Sequence, residues 1–442
     1  MKYGVKILYW VLALSFLCAC SAEREKLVSK TEIMKWKGGK RAAISITFDD
    51  ATINQFRHAL PILDTLGFKG TFYINTADIP GSQFLPKFIG RPLGEIIKET
   101  ASSPTVKDNL FERASALRFL DIEDAIDKHN TVGSLFEQGK PDEAYKITDD
   151  AYAIARKKKS YREIRPVLLH DELITWPELR QFAARGHEFG NHTISHPRLA
   201  VLDEPNLLYE LEKCKEEILH QLGSEHTFSG ECPFGTENER VMSYAYKIHP
   251  AWRNRMPELF LTELNRSSDK TPGIYKSEYI QWQRGPLQKT STELMKSWVD
   301  TLLVHDNVWL VLTFHGIDGI GWEAKPHETL KLYFEYMKKN ENNLWVAPFK
   351  DITKYMRERM NASVKFETPS DKKIIITLDH TLDKTLYDVP LTLKTYVETD
   401  WRKVIVTQGN VSTVYDTQSD PNGNYVLYAV RPDGNKVEIM EK

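Results

Sequence analysis

The sequence predicts an α/β protein built on a parallel sheet, followed by a small all-β module. Three observations carry this expectation. An apolar strand, a helix and a second strand follow one another between residues 41 and 75, which is the rhythm of parallel pairing. The same rhythm resumes at Thr175 after a charged, helix-prone stretch. Beyond about residue 362 the apolar period changes from helical to two. The chain has 442 residues, 41% hydrophobic and 27% charged, enough for two or three domains. Its formal net charge of −2 offers no basic field for nucleic acid.

In chain order, Lys2 and Lys6 precede an apolar run from Ile7 to Leu17, which is too short to span a bilayer and is flanked like a signal peptide. Leu17-Cys18-Ala19-Cys20 resembles a bacterial lipobox. That resemblance implies a signal peptide over 1–20 and lipidation of Cys20. With Ser21 rather than Asp following, it also implies a membrane tether at the outer membrane of a Gram-negative envelope. Residues 21–39 read as a charged linker. Two cysteines remain in the body, Cys214 and Cys232, and are expected to be buried free thiols.

The main domain is expected over 40–360. Arg41 to Phe48 reads as a buried strand ending in Asp49-Asp50, and Phe56, Leu60, Leu63 and Leu66 mark a helix stopped by Gly67. Gly70 to Asn75 is the second strand. Residues 80–172 break the rhythm and form a helical insertion, either a cap over a substrate cleft or a scaffold. Thr175-Trp176-Pro177-Glu178 fits a capping box. His187 to Gly190 is a short strand leading to His192 and His196, Leu207 to Leu222 an amphipathic helix, and Phe228 to Gly235 a strand and turn. Val308 to Phe314 is a strongly apolar strand ending at His315. A helix over about 327–339 and a strand from Leu344 to Ala347 close the unit. Residues 362–442 alternate apolar and polar between turns such as Asn422-Gly423 and read as a β-sandwich-like module.

Four polar clusters follow apolar strands: Asp49-Asp50, His192/His196, Pro233-Phe234-Gly235 and His315. Strand ends of parallel α/β proteins collect catalytic groups in one cleft. Two imidazoles and a carboxylate with open positions form a catalytic zinc pattern. His192 and His196 could face one point across a turn of helix. One of Asp49/Asp50 would supply the carboxylate and the other a general base, since neighbouring strand residues point apart. His315 is a candidate general acid, and the Pro233-Phe234-Gly235 turn a source of backbone donors for an oxyanion. Taken singly, each has a plainer reading: solvated histidines, a helix cap, a buried imidazole. Their joint order is what argues for chemistry.

The motifs Thr47-Phe48-Asp49-Asp50, His192-Thr193-Ile194-Ser195-His196 and Leu312-Thr313-Phe314-His315 resemble those of the NodB-type polysaccharide deacetylases, carbohydrate esterase family 4. The resemblance implies a distorted (β/α)7 barrel of the NodB type. It implies Asp49 as base, Asp50, His192 and His196 as metal ligands, His315 as acid, Phe234 as backbone oxyanion donor and Leu312 in the acetyl-methyl pocket. The implied cofactor is a divalent metal, Zn2+ first, with Co2+ or Ni2+ as alternatives. The implied substrate is an acetylated polysaccharide or oligosaccharide.

One motif departs. The family's third motif carries an arginine that steadies the base; here Glu231-Cys232-Pro233-Phe234-Gly235 puts a glutamate there. An unneutralised carboxylate beside Asp49 would raise its pKa, so either another cation, such as Arg253, Arg255, Arg266 or Arg284, takes the role or activity is reduced. The family's fourth motif is not recognisable; Trp282 is a weak stand-in and reads better as core. The functional expectation is metal-dependent hydrolytic deacetylation of N- or O-acetyl sugars. The alternative is a glycan-binding surface lipoprotein that turns nothing over.

Overall fold

The computed structural model describes residues 30–158, 172–370 and 372–442; the expected signal peptide and Cys20 lie outside the described residues. The chain divides into two compact units, Ile44–Glu341 with Val346–Lys350, and residues 30–43 with Asn342–Trp345 and Asp351–Lys442.

The larger unit is a curled parallel sheet. Its strands are β1 (Ala42–Asp49), β2 (Thr71–Ile74), β3 (Glu188–Asn191), β4 (Ser229–Gly230), β5 (Ala251–Trp252), β6 (Leu261–Leu264), β7 (Tyr279–Arg284) and β8 (Val308–Phe314). They lie in the order β5-β4-β3-β2-β1-β8-β7-β6, so this path has one strand more than the seven expected. Laid flat, its edges would stand about 34 Å apart. Yet β5 and β6, on opposite edges, are joined by residues 253–260 alone, a link that reaches about 30 Å fully extended. The sheet must therefore curl, and Gln283 on β7 donates to the Arg253 carbonyl just after β5 at 3.2 Å. The curl is what lets strand ends face one another.

Local sequence explains the elements around it. β1 and β8 are buried at every residue, as strands covered on both faces must be. Phe48, Phe72 and Phe189 stack from strand to strand, with centroids 4.9 and 5.6 Å apart. The first helix begins as a π-turn, Gln55–Ala59, before α1 (Leu60–Leu66). Gly67, at φ 73°, ends it, and its N–H donates to Asp64. The helix Trp176–Ala184 has the expected capping box of Thr175 and Glu178. Between β2 and β3 the insertion forms α2 (Leu93–Glu99), α3 (Leu110–Leu117), α4 (Ala125–Glu137) and α5 (Pro141–Ala155), with a core of its own. Cys214 and Cys232 are free and buried.

The smaller unit is antiparallel throughout. One sheet runs Ala362–Ser370, Lys373–His380, Asp433–Glu441, Lys403–Gln408, Val411–Asp416; the other Thr31–Ile33, Leu391–Val397, Gly423–Val430, Gln418–Asp420. Inward residues of both, including Ile376, Leu393, Val404, Tyr428 and Ile439, share one core. Thr31–Ile33 falls inside the expected linker, yet it is an edge strand paired with Leu391–Val397. A three-residue strand carries too little apolar period to read from sequence.

Candidate active site

Five strand ends meet over the curled sheet: Asp49 and Asp50 at the end of β1, His192 after β3, Glu231 after β4, Arg253 after β5 and His315 after β8. All but the fully buried Arg253 line a cavity of about 380 Å3, with His196, Arg198, Phe234, Arg266 and Trp322.

Asp50 lies 3.4 Å from His192 Nε2 and 3.3 Å from His196 Nε2, both measured to its Oδ1. Bonds of 2.0–2.1 Å at tetrahedral angles would separate zinc ligands by about 3.3 Å. Asp50 Oδ1 is buried and takes part in no hydrogen bond, which is costly unless a cation completes it. The donor set thus fits a divalent metal. A second His-Asp-His grouping, His58, Asp318 and His327, does not fit in the same way. There Asp318 Oδ2 is already hydrogen-bonded to His58 Nδ1 and to His327 Nδ1, the latter at 2.8 Å.

Backbone strain accompanies the site. Asp50 (φ 74°), Thr193 (φ 72°), His196 (φ 54°) and Phe234 (φ 63°) all occupy the left-handed region, which costs about 1–3 kcal/mol each. Asp50 consequently turns away from Asp49, and the adjacent carboxylates serve different partners. The expected helical turn between the histidines is replaced by a tight loop. Asn191 Oδ1 accepts from Thr193 N at 2.8 Å and Thr193 Oγ1 from His196 N at 2.9 Å. Glu210 Oε2 accepts from Ile194 N and Ser195 N, each at 2.9 Å. Side chains that capture these N–H groups supply what a helix would have taken from its own carbonyls. The insertion braces the loop: Arg118 donates to the Ser195 carbonyl at 2.8 Å and pairs with Glu210 at 3.3 Å. Among the described residues, none from the insertion lines this cavity.

Arg253 is the cation that meets Asp49 and Glu231. Its guanidinium is fully buried and forks onto Asp49 at 2.5 and 2.7 Å, while Nη2 reaches Glu231 Oε1 at 2.9 Å. Glu231 is thus paired with a cation, one of the four arginines the sequence offered. Its carboxylate also accepts from Asn254 at 2.6 Å and lies 2.8 Å from His192 Nδ1. His192 Nδ1 donates to the Glu231 carbonyl as well, at 3.1 Å. Anchoring Nδ1 leaves Nε2 aimed at Asp50. Arg253 could not be singled out from Arg255, Arg266 and Arg284 by sequence, because only β4–β5 pairing of Gly230 with Trp252 sets it beside Glu231.

Burial would raise Asp49, but Arg253 outweighs it and holds the carboxyl below its usual range. Burial also opposes ionisation of Asp50, and the two facing imidazoles overcome it. For His192, burial is overridden by Glu231 and Asp50, and the imidazolium persists well above its usual range. A cation would have to replace that proton. His196 is pushed down to about 4 by burial and by His192.

His315 Nε2 lies 3.4 Å from Asp49 Oδ2. Burial lowers its pKa, with Arg266 and Arg253 adding to the effect against Asp49 and Asp50. Gln55 ties this strand end to β1, donating to the carbonyls of Asp49 and His315 at 2.5 and 2.8 Å. Phe234 packs on His196, with ring centroids 4.6 Å apart, at the rim. Leu312 is fully buried in β8 and does not line the cavity. The apolar wall there is Trp322, edge-on to His315 with centroids 4.8 Å apart. Its only sequence signal was an aromatic in the glycine-rich run after His315. Trp282 is buried.

Residues 143–251 match the family model for polysaccharide deacetylase. That span holds His192, His196 and Glu231 but not Asp49, Asp50, Arg253 or His315. Over 275 residues the chain is 21% identical to a gellan lyase of a Bacillus species, covering 59% of this chain and 11% of that protein. This chain thus spans about a tenth of the curated relative it matches. Among solved structures it is similar to a protein of Mycobacterium smegmatis assigned to the polysaccharide deacetylases (12% identity, 78% of this chain and 99% of the other, TM-score 0.38). It is similar also to a mutant of a CE4 family pseudoenzyme (13% identity, 71% and 67%, TM-score 0.32).

Proposed function

We propose that this protein is a metal-dependent hydrolase that removes acetyl groups from a polysaccharide. The observation that carries the reading is the pair of neighbouring carboxylates with separate tasks. Asp50 faces two imidazoles at the spacing of metal ligands, while Asp49 is held ionised by Arg253 beside His315.

A divalent ion held by Asp50, His192 and His196, Zn2+ before Co2+ or Ni2+, would supply Lewis acidity and a more acidic water. The chain's own groups do the rest. Asp49 takes a proton from the attacking water as its oxygen bonds to the acetyl carbon. The Phe234 backbone N–H stabilises the charge that develops on the carbonyl oxygen. The carbon–nitrogen or carbon–oxygen bond then breaks, and His315 delivers a proton to the leaving amine or alkoxide. Asp49 Oδ2 is the nearby carboxylate from which that proton can be replenished, at 3.4 Å. Trp322 offers a flat face to a sugar ring.

A binding-only reading draws on the Glu231 replacement and on the β-module. That carboxylate is shared among Arg253, Asn254 and His192, which answers the first motive and leaves the second. Purified protein with Zn2+ should release acetate from acetylated glycans, and Asp49→Asn should lower the rate about 10²–10⁴-fold while zinc still binds by calorimetry. Glycan binding with no acetate release from any substrate would favour the binding-only reading instead.

We also propose attachment to the outer membrane through lipidated Cys20. Among the described residues no helix is long and apolar enough to cross a membrane. Mass spectrometry of the mature N-terminus should find a diacylglyceryl cysteine, and Cys20→Ala should leave the protein unlipidated.

A further inference from the structure

Beside the cavity just described lies a larger one of about 740 Å3, and the two share Phe234, Arg266 and Trp322. This is the size of a cleft for a small ligand or a few sugar units. Arg266, between β6 and β7, is the one arginine lining both. Its neighbours have partners. Arg253 holds Asp49 and Glu231. Arg198 pairs with Glu137 and lies 4.5 Å from the Phe234 ring centre. Arg255 donates to the Glu237 carbonyl at 2.9 Å. Arg266 has neither a hydrogen bond nor an ion pair among the described residues.

The fold makes room for it. A side chain at Gly285 would put Cβ 2.9 Å from Arg266 Cδ, so glycine there permits the arginine stem to lie against the β7 end. The cavity's two carboxyls do not balance its charge. Burial pushes both Glu237 and Glu263 up to about 8, and their oxygens accept from Asn254 and Met256 N instead. A guanidinium left unpaired in a cleft is suited to a bidentate anion.

We infer that Arg266 is an anion receptor, and that the substrate carries a negatively charged group on the sugar bound beside the acetylated one. Uronate carboxylates and sulfate esters share this chemistry. The inference rests on the deacetylase reading above.

The experiment compares acetate release from acetylated polygalacturonate, acetylated sulfated galactan and neutral acetylated xylan, for wild type and Arg266→Gln. Wild type should prefer a charged polymer, and the better of the two identifies the anion. Arg266→Gln should reduce that preference roughly ten- to hundredfold, through KM rather than kcat, and Arg266→Lys should restore part of it. A wild type that prefers xylan overturns the inference. So does a variant that slows all polymers in parallel and keeps their ratio. If wild type releases acetate from nothing, the deacetylase reading fails by itself. Calorimetry with unacetylated polygalacturonate, sulfated galactan and xylan then decides the receptor: Arg266-dependent binding of a charged polymer supports it, and equal binding by wild type and variant overturns it.

Discussion

Arg253 is a single guanidinium facing two buried carboxylates. Removing one member of a buried ion network leaves the others charged and unpaired, which costs about 3–5 kcal/mol. Arg253→Ala should therefore lower stability by about that amount in urea unfolding, and should also raise the pKa of Asp49. Arg253→Lys keeps the charge but loses the fork onto Asp49 Oδ1 and Oδ2. We expect it to fold and to release acetate more slowly than wild type, with the basic limb of its pH–rate profile changed least. Residue chemistry was the most legible scale. The Asp-Asp pair, the two histidines and His315 each end an apolar run, so their placement in one cleft follows from parallel strands. The partner of Asp49 was not legible, because four arginines share the same stretch and only the curl selects one.

At the scale of elements, the loop from Asn191 to His196 is held from outside itself. Glu210, on the helix Glu204–Leu222, accepts two of its N–H groups, and Arg118 from the insertion clamps both. Glu210→Gln keeps the shape and removes the charge. It should weaken zinc binding about 10–100-fold, read by competition with a chelating dye, with little change in the circular dichroism spectrum. The spacing of the histidines was plain in the sequence, but the loop was not. Helical spacing and a side-chain-capped turn both bring residues four apart together, and which one forms depended on Glu210 and Arg118 arriving from elsewhere. The periods of β1, β8 and the helices read well because each is long enough to show its pattern. Three-residue Thr31–Ile33 and two-residue β5 are not.

For the whole molecule, Glu263 links stability to pH. Burial lifts its pKa from 4.5 to about 8. Between those values the folded chain retains a proton that the unfolded chain releases, so this group takes away stability as pH rises across the window. Glu263→Gln removes the penalty. Its Tm should fall less steeply than that of wild type between about pH 5 and 8, measured by scanning calorimetry, with the gap widest at the alkaline end.

By itself the sequence determined the elements and the chemical inventory: a parallel α/β unit, a helical insertion, an antiparallel module, and acid, base and ligand residue types at strand ends. These follow from local period and from the rule that strand ends share a face. Tertiary structure decided the pairings. The short link between β5 and β6 forces the sheet to curl, and that curl sets Arg253 against Asp49 and Glu231. It also leaves Arg266 facing the cleft alone. Such contacts join residues up to two hundred or more positions apart, and no periodicity in a chain records which distant side chain will arrive.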